Sequence, residues 1–167
     1  MQVYLKDYDE QRHEMFYALR VPREWADKLT KINWRDDKGN FHAEVETWIQ
    51  DLKPSYRGDI LIVASNAEKG GDVPPCEVVG LVELYDIIPS DLVTGDVAQG
   101  AGYVGKAPSA TGSALLFRNP RRIVELPCRM TRDWQRVIYP KGEITPYPRV
   151  LAMGKKFWKK LLLWKRK

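Results

Sequence analysis

Residues 60–64 read Ile-Leu-Ile-Val-Ala, a continuous apolar run set between the turn chemistry of Pro54–Asp59 and a loop rich in Gly and Pro at 66–75. A run this short, rich in β-branched residues and bounded by turn residues, is a buried strand rather than a helix. A buried strand needs partners on both sides, and the rest of the chain supplies candidates. Residues 77–87 (EVVGLVELYDI) form a second strand, with Gly80 marking a bulge or a close backbone approach. Residues 114–126 form a third, interrupted at Pro120, and 136–140 (RVIYP) a closing one.

The N-terminal third is more varied. Phe16, Ala18 and Arg20 alternate with Tyr17, Leu19 and Val21 as in a strand, and Pro22 then opens a helix with Trp25, Ala26 and Leu29 on one face. Residues 34–40 (WRDDKGN) carry turn chemistry. Residues 41–49 alternate as one strand: Phe41, Ala43, Val45, Thr47 and Ile49 face inward, while His42, Glu44, Glu46 and Trp48 face outward. Residues 89–113, rich in Gly, Ala, Ser and Thr, read as a long mobile loop of the kind that serves as a lid. Short strands separated by turns, with one early helix, predict an α+β, mainly β chain closing into a small barrel.

Composition narrows the function classes. Eighteen aromatics among 167 residues supply a core and argue against disorder throughout. No apolar run reaches the roughly 18 residues of a bilayer span, and the charged N-terminus lacks a secretory h-region, so a cytoplasmic location is expected. Cys76 and Cys128 are expected as free thiols, and with only His13 and His42 no zinc-ligand spacing is present. The net charge of +5 is misleading. Residues 155–167 hold six Lys, one Arg and no acid, leaving 20 basic and 22 acidic residues in the first 154. Global charge therefore does not argue for a polyanion partner. The stretch GAGYVGK (100–106) lacks both the spacing and the following Ser or Thr of a phosphate-binding loop.

Four pieces in order resemble the ASCH domain, a member of the PUA-like barrels. They are ALRVPREWADKL, then EVETW followed by YRGDILIVAS, then VVGLVELYDI, then FRNPRRI, and together they run from about Phe16 to Ile138. The resemblance implies a PUA-like β-barrel within residues 1–150, with its core at about 16–138; residues 151–167 are expected from their own pattern to form a separate basic amphipathic C-terminal helix. Two positions depart from the family. Phe41 stands where a Lys of a Gly-x-Lys motif would follow Gly39, and Glu46 stands where an Arg would follow Glu44. An insertion around Asn33–Lys38 contributes Arg35 and Lys38.

The resemblance implies a cleft between the helix and the barrel that holds a base or nucleotide of RNA or single-stranded nucleic acid. Trp25, Trp48 and Tyr56 are candidate stacking surfaces, Trp48 because it stands on the polar side of its strand. Glu44, Ser65 and Asn66 are candidates for the base edge, and Arg20, Arg57, Arg118, Arg121 and Arg122 for phosphates. A second reading is a small hydrolase of RNA or acylated nucleosides using Glu44 with Thr47 or Ser65. The Lys-to-Phe41 change and the lack of a placed general base argue against it. Neither reading calls for a cofactor or metal. In the tail, Phe157, Trp158, Leu161 and Trp164 share an apolar side flanked by lysines, suited to docking on the barrel, to an anionic membrane surface, or to a nonspecific grip on nucleic acid; a third function class is an adaptor that docks a partner protein through this tail.

Overall fold

The computed structural model describes residues 8–50, 54–66, 75–93, 101–103 and 112–145. The tail (155–167) and most of the 89–113 segment lie outside these. Within that segment, residues 90–92 form a single 3-10 turn and residues 101–103 a short strand.

Among the described residues, nine strands and one α-helix follow in order: β1 (His13–Pro22), α1 (Arg23–Thr30), β2 (Ile32–Arg35), β3 (Phe41–Ala43), β4 (Thr47–Gln50), β5 (Gly58–Ser65), β6 (Cys76–Pro89), β7 (Ala101–Tyr103), β8 (Ser113–Cys128) and β9 (Trp134–Pro140). Seven strands make one curled half-barrel sheet in the order β7-β4-β8-β6-β5-β1-β9, and β2 and β3 form a separate hairpin. The mainly β architecture with one early helix agrees with the sequence pattern. Among the described residues no helix is long and apolar enough to cross a membrane.

Both faces of the central strands are covered, which explains the unalternated run at 60–64. Ile60, Ile62 and Ala64 point into one core beside Leu19, Val21, Val79, Val82 and α1's Ala26 and Leu29. Leu61 and Val63 point into a second core with Ala18, Val78, Ile123, Val137 and Tyr139. Helix α1 therefore lies on one face only. It starts directly after Pro22, whose fixed φ of −55° suits entry into a helix.

Gly80 lets α1 sit this close. A Cβ there would stand 2.5 Å from the Arg121 carbonyl oxygen and 2.7 Å from Thr30 Cγ2. The β6–β8 register also shifts between Val78 and Gly80, so the glycine is both a bulge and a close approach. Ion pairs fasten the helix further. Arg23 bridges Glu77 and Glu125, and Arg122 donates to Asp27 at 2.8 Å and to Thr30 Oγ1 at 3.1 Å.

The expected single strand over 41–49 is two. β3 belongs to the hairpin and β4 to the main sheet, with Glu44–Glu46 bridging them. After this break Trp48 turns into the core and Ile49 packs with Val93 and Ala114 on the other face. β8 runs through Pro120 instead of stopping there, and the irregularity is absorbed by Asn119 at φ +54°.

Candidate nucleic-acid interface

β4 and β9 stand five strand spacings apart in the sheet, about 24 Å if it were flat. Curling brings their ends together. Gln50 Nε2 donates to Asp133 Oδ2 at 3.4 Å, and Gln50 Oε1 accepts from Trp48 Nε1 at 2.9 Å. The other oxygen of Asp133 accepts from Arg20 Nε and Nη2 at 3.2 and 3.1 Å, while Arg20 Nη1 donates to the Met130 carbonyl at 2.6 Å. A polar chain from Trp48 to Arg20 thus crosses the seam between the sheet's two ends.

Beside this seam stands a column of three rings. Tyr17 is stacked on Tyr56 at 4.4 Å and 27°, and on Trp134 at 5.5 Å and 23°. Local structure places each ring. In the β1–β9 register Leu19 is opposite Trp134 and Tyr17 opposite Arg136, so these side chains emerge on one face. Tyr56 is held by Gly58, which has φ +127° and whose missing Cβ would lie 2.8 Å from the Tyr56 hydroxyl. That hydroxyl donates to the Asp59 carbonyl. Burial, then the nearby Asp59 charge and Tyr17, push the Tyr56 phenol above its ordinary value, so it stays neutral. All three rings are half-buried and rest on the core that contains Trp48.

Three arginines accompany the column. Arg57 follows Tyr56 directly, Arg136 lies opposite Tyr17, and Arg132 precedes Asp133. All three are exposed, and none meets a carboxylate among the described residues. Arg57 donates only to the adjacent Tyr56 carbonyl.

The residues singled out from sequence are distributed differently from the expected cleft. Trp48 is fully buried, edge-to-face against Trp25 at 6.2 Å, and is a core residue rather than a stacking surface. Trp25 is half-buried, with Lys28 Nζ 5.1 Å from its ring centre. Glu44 is exposed near the end of α1, where Val45 N–H donates to the Lys28 carbonyl. Asn66 is at the other end of the helix, accepting from Arg23 Nε, with Ser65 opposite Pro22. An eight-residue helix, about 12 Å long, separates them. Glu44, Trp48 and Ser65 therefore share no groove.

Thr47 is buried on β4, three strand spacings from Ser65 on β5, so Glu44, Thr47 and Ser65 form no catalytic set. Most of the chosen cations are occupied. Arg118 pairs with Glu83 at 2.9 Å, Arg121 with Asp59 at 2.6 Å, and Arg122 and Arg20 with the acids named above. Tyr56 and Arg57 alone come through as members of one surface. Tyr17, Trp134, Arg132 and Arg136 were not among the site candidates read from the sequence. Nothing local in β1 marks Tyr17 as a site residue, because the ring column depends on β9 returning beside it.

A second polar cluster lies on the β2–β3 hairpin. His42 Nε2 meets Asp36 Oδ2 at 2.8 Å and its Nδ1 meets Glu46, while Trp34, half exposed, stacks on the imidazole at 4.1 Å. Burial pulls the His42 pKa down, but the hydrogen bonds and charges of Asp36 and Glu46 outweigh it and the net shift is upward. Both ring nitrogens are engaged, so the imidazole holds the hairpin and has no nitrogen left for a substrate proton. A shallow dimple beside it, too small to admit a ligand, is lined by Leu29, Val45, Val82 and Phe117 with Glu46 and Arg118. Among the described residues, no three His, Cys, Asp or Glu side chains converge as metal ligands.

No family model, curated protein or solved structure matches the chain.

Proposed function

We propose that the chain binds single-stranded nucleic acid, RNA foremost, along the seam marked by Tyr56, Tyr17 and Trp134. The ASCH, PUA-like character of the barrel and a cytoplasmic setting belong to the same proposal. The observation that carries it is the half-exposed three-ring column, with exposed Arg136 opposite Tyr17 in the register and exposed Arg57 and Arg132 next to or near Tyr56 and Trp134 in sequence. Bases extend such a column by stacking, each worth about 1–3 kcal/mol, because every base has a π-face. Arginine guanidinium groups without carboxylate partners are available to phosphates. The ion-paired arginines elsewhere would have to surrender a partner first, and so contribute less.

The test is fluorescence anisotropy of a labelled single-stranded RNA, titrated with the full chain at several salt concentrations. Trp134→Ala is expected to weaken binding by about 5- to 100-fold, matching the loss of one stacked base. Arg57→Gln and Arg136→Gln should each lower the slope of log K against log salt by about 0.7. Affinity untouched by all three substitutions, or indifferent to salt, would overturn the reading.

A further inference from the structure

The geometry points to Cys76 and Cys128 as an oxidation site, at which hydrogen peroxide or a similar small peroxide closes a reversible cross-strand disulfide. The two residues are direct partners in the antiparallel β6–β8 register. Such partners have Cα atoms about 4.5 or 5.5 Å apart, depending on the type of pair. Both values fall within the window of about 4.4–6.8 Å that disulfides occupy. The side chains face the same core, and Cys76 Sγ donates to the Cys128 carbonyl at 2.8 Å, which places its sulfur over the partner residue. Neither is bonded to the other in the structure, where both are thiols.

The surroundings distinguish the two sulfurs. A hydrogen bond from the Cys128 thiol lowers the Cys76 pKa to about 7 against the opposing effect of burial, and the backbone at Met130 and the Arg20 charge add to the lowering. The same contact and burial push Cys128 up. Cys76 is therefore the attacking sulfur and Cys128 the resolving one, since the thiolate is the nucleophile. Both are buried, at 3% and 7% exposure, which excludes large oxidants from the folded state. Cys76 is the first residue of β6, however, with exposed Pro75 before it, and Cys128 the last of β8 with exposed Arg129 after it. Strand ends open most readily, and a small peroxide needs no more than that.

The reaction balances without a cofactor. The Cys76 thiolate attacks one peroxide oxygen, the O–O bond breaks, and the departing hydroxide takes up a proton as water, leaving a sulfenic acid on Cys76. Cys128 sulfur then attacks Cys76 sulfur. The S–O bond breaks, the hydroxide leaves with the Cys128 proton as a second water, and the S–S bond forms. Two thiols are oxidised and one peroxide is reduced to two waters. The product clips the start of β6 to the end of β8 inside the second core.

The test treats the reduced full chain with hydrogen peroxide, then unfolds it in an alkylating agent and measures intact and peptide masses. The expected result is loss of both alkylatable thiols, an intact mass lower by two hydrogens, and a peptide joining Cys76 to Cys128 that dithiothreitol separates. In Cys128→Ser, Cys76 should stop at a sulfenic acid that dimedone traps. In Cys76→Ser, Cys128 should resist the same exposure. Two alkylatable thiols after treatment, oxygen adducts without a cross-link, or disulfides only between chains would each overturn the proposal. The wild-type measurement decides the matter even if a serine variant does not fold.

Discussion

Gln50 and Asp133 meet at 3.4 Å although their strands lie near opposite ends of the seven-stranded sheet. This contact marks where the half-barrel's two ends come together. Its strength rests mainly on Asp133, which also holds Arg20.

Removing that carboxylate should therefore cost more than removing the amide. Asp133→Ala leaves Arg20, 19% exposed, without its ion pair, and a loss of about 1 kcal/mol is expected because Asp133 itself is half in water. Gln50→Ala should cost less than half as much. Urea denaturation of both variants measures the difference, and equal losses would show that the seam depends on Gln50 instead.

Among the described glycines, Gly80→Ala is expected to create the tightest clash with backbone. The added Cβ would meet the Arg121 carbonyl and Thr30, one of them backbone that cannot step aside. Overpacking of this kind costs about 1–3 kcal/mol. The denaturant midpoint should fall with an unchanged slope, since the unfolded state gains little.

Gly58→Ala tests the column from a different side. At φ +127° an alanine is strained, and its Cβ would press on the Tyr56 hydroxyl, 2.8 Å away. Tyr56 should leave Tyr17, so that RNA affinity falls along with stability. Retained affinity in a destabilised variant would separate the ring column from binding.

The hairpin clamp should respond to pH in a defined direction. His42 titrates above its ordinary 6.5 in the folded state, so its stabilising contribution is complete below about 6.5 and disappears as pH rises through the raised value. Asp36 is lowered from 3.8 to about 2, chiefly by its hydrogen bond with His42, so its contribution holds above 3.8 and is lost as pH falls towards 2. Protection of the Lys38 and Asn40 amides, whose N–H groups donate to Asp36, measured as exchange relative to the intrinsic rate at each pH, should be greatest between those limits and fall at alkaline pH. His42→Gln should abolish the alkaline change.

Much of the sheet is legible in the sequence because the information is local. The run at 60–64 announces a strand covered on both faces, the turn at 34–40 a hairpin, and Gly80 a close approach. The segment 41–49 misleads because strict alternation holds only within one strand. A break of a few residues changes which parity faces inward, and Trp48 moves from the expected surface to the core. The candidate site was mostly hidden for another reason. Trp134 reaches Tyr17 across 117 residues, and Arg118, Arg121 and Arg122 find acids 35, 62 and 95 residues away. A single sequence shows which residues can pair, but not which of them do.

The parallel pairing of β1 with β5, and β9 on its other flank, has a consequence for synthesis. Strand β1 receives one neighbour only after residues 58–65 emerge from the ribosome, and its second only after residues 134–140. Until then its backbone donors and acceptors stand open along one side. The nascent protein must therefore carry an unfinished sheet from the emergence of β1 until residues 134–140 follow, and this interval is when chaperones would have most to hold.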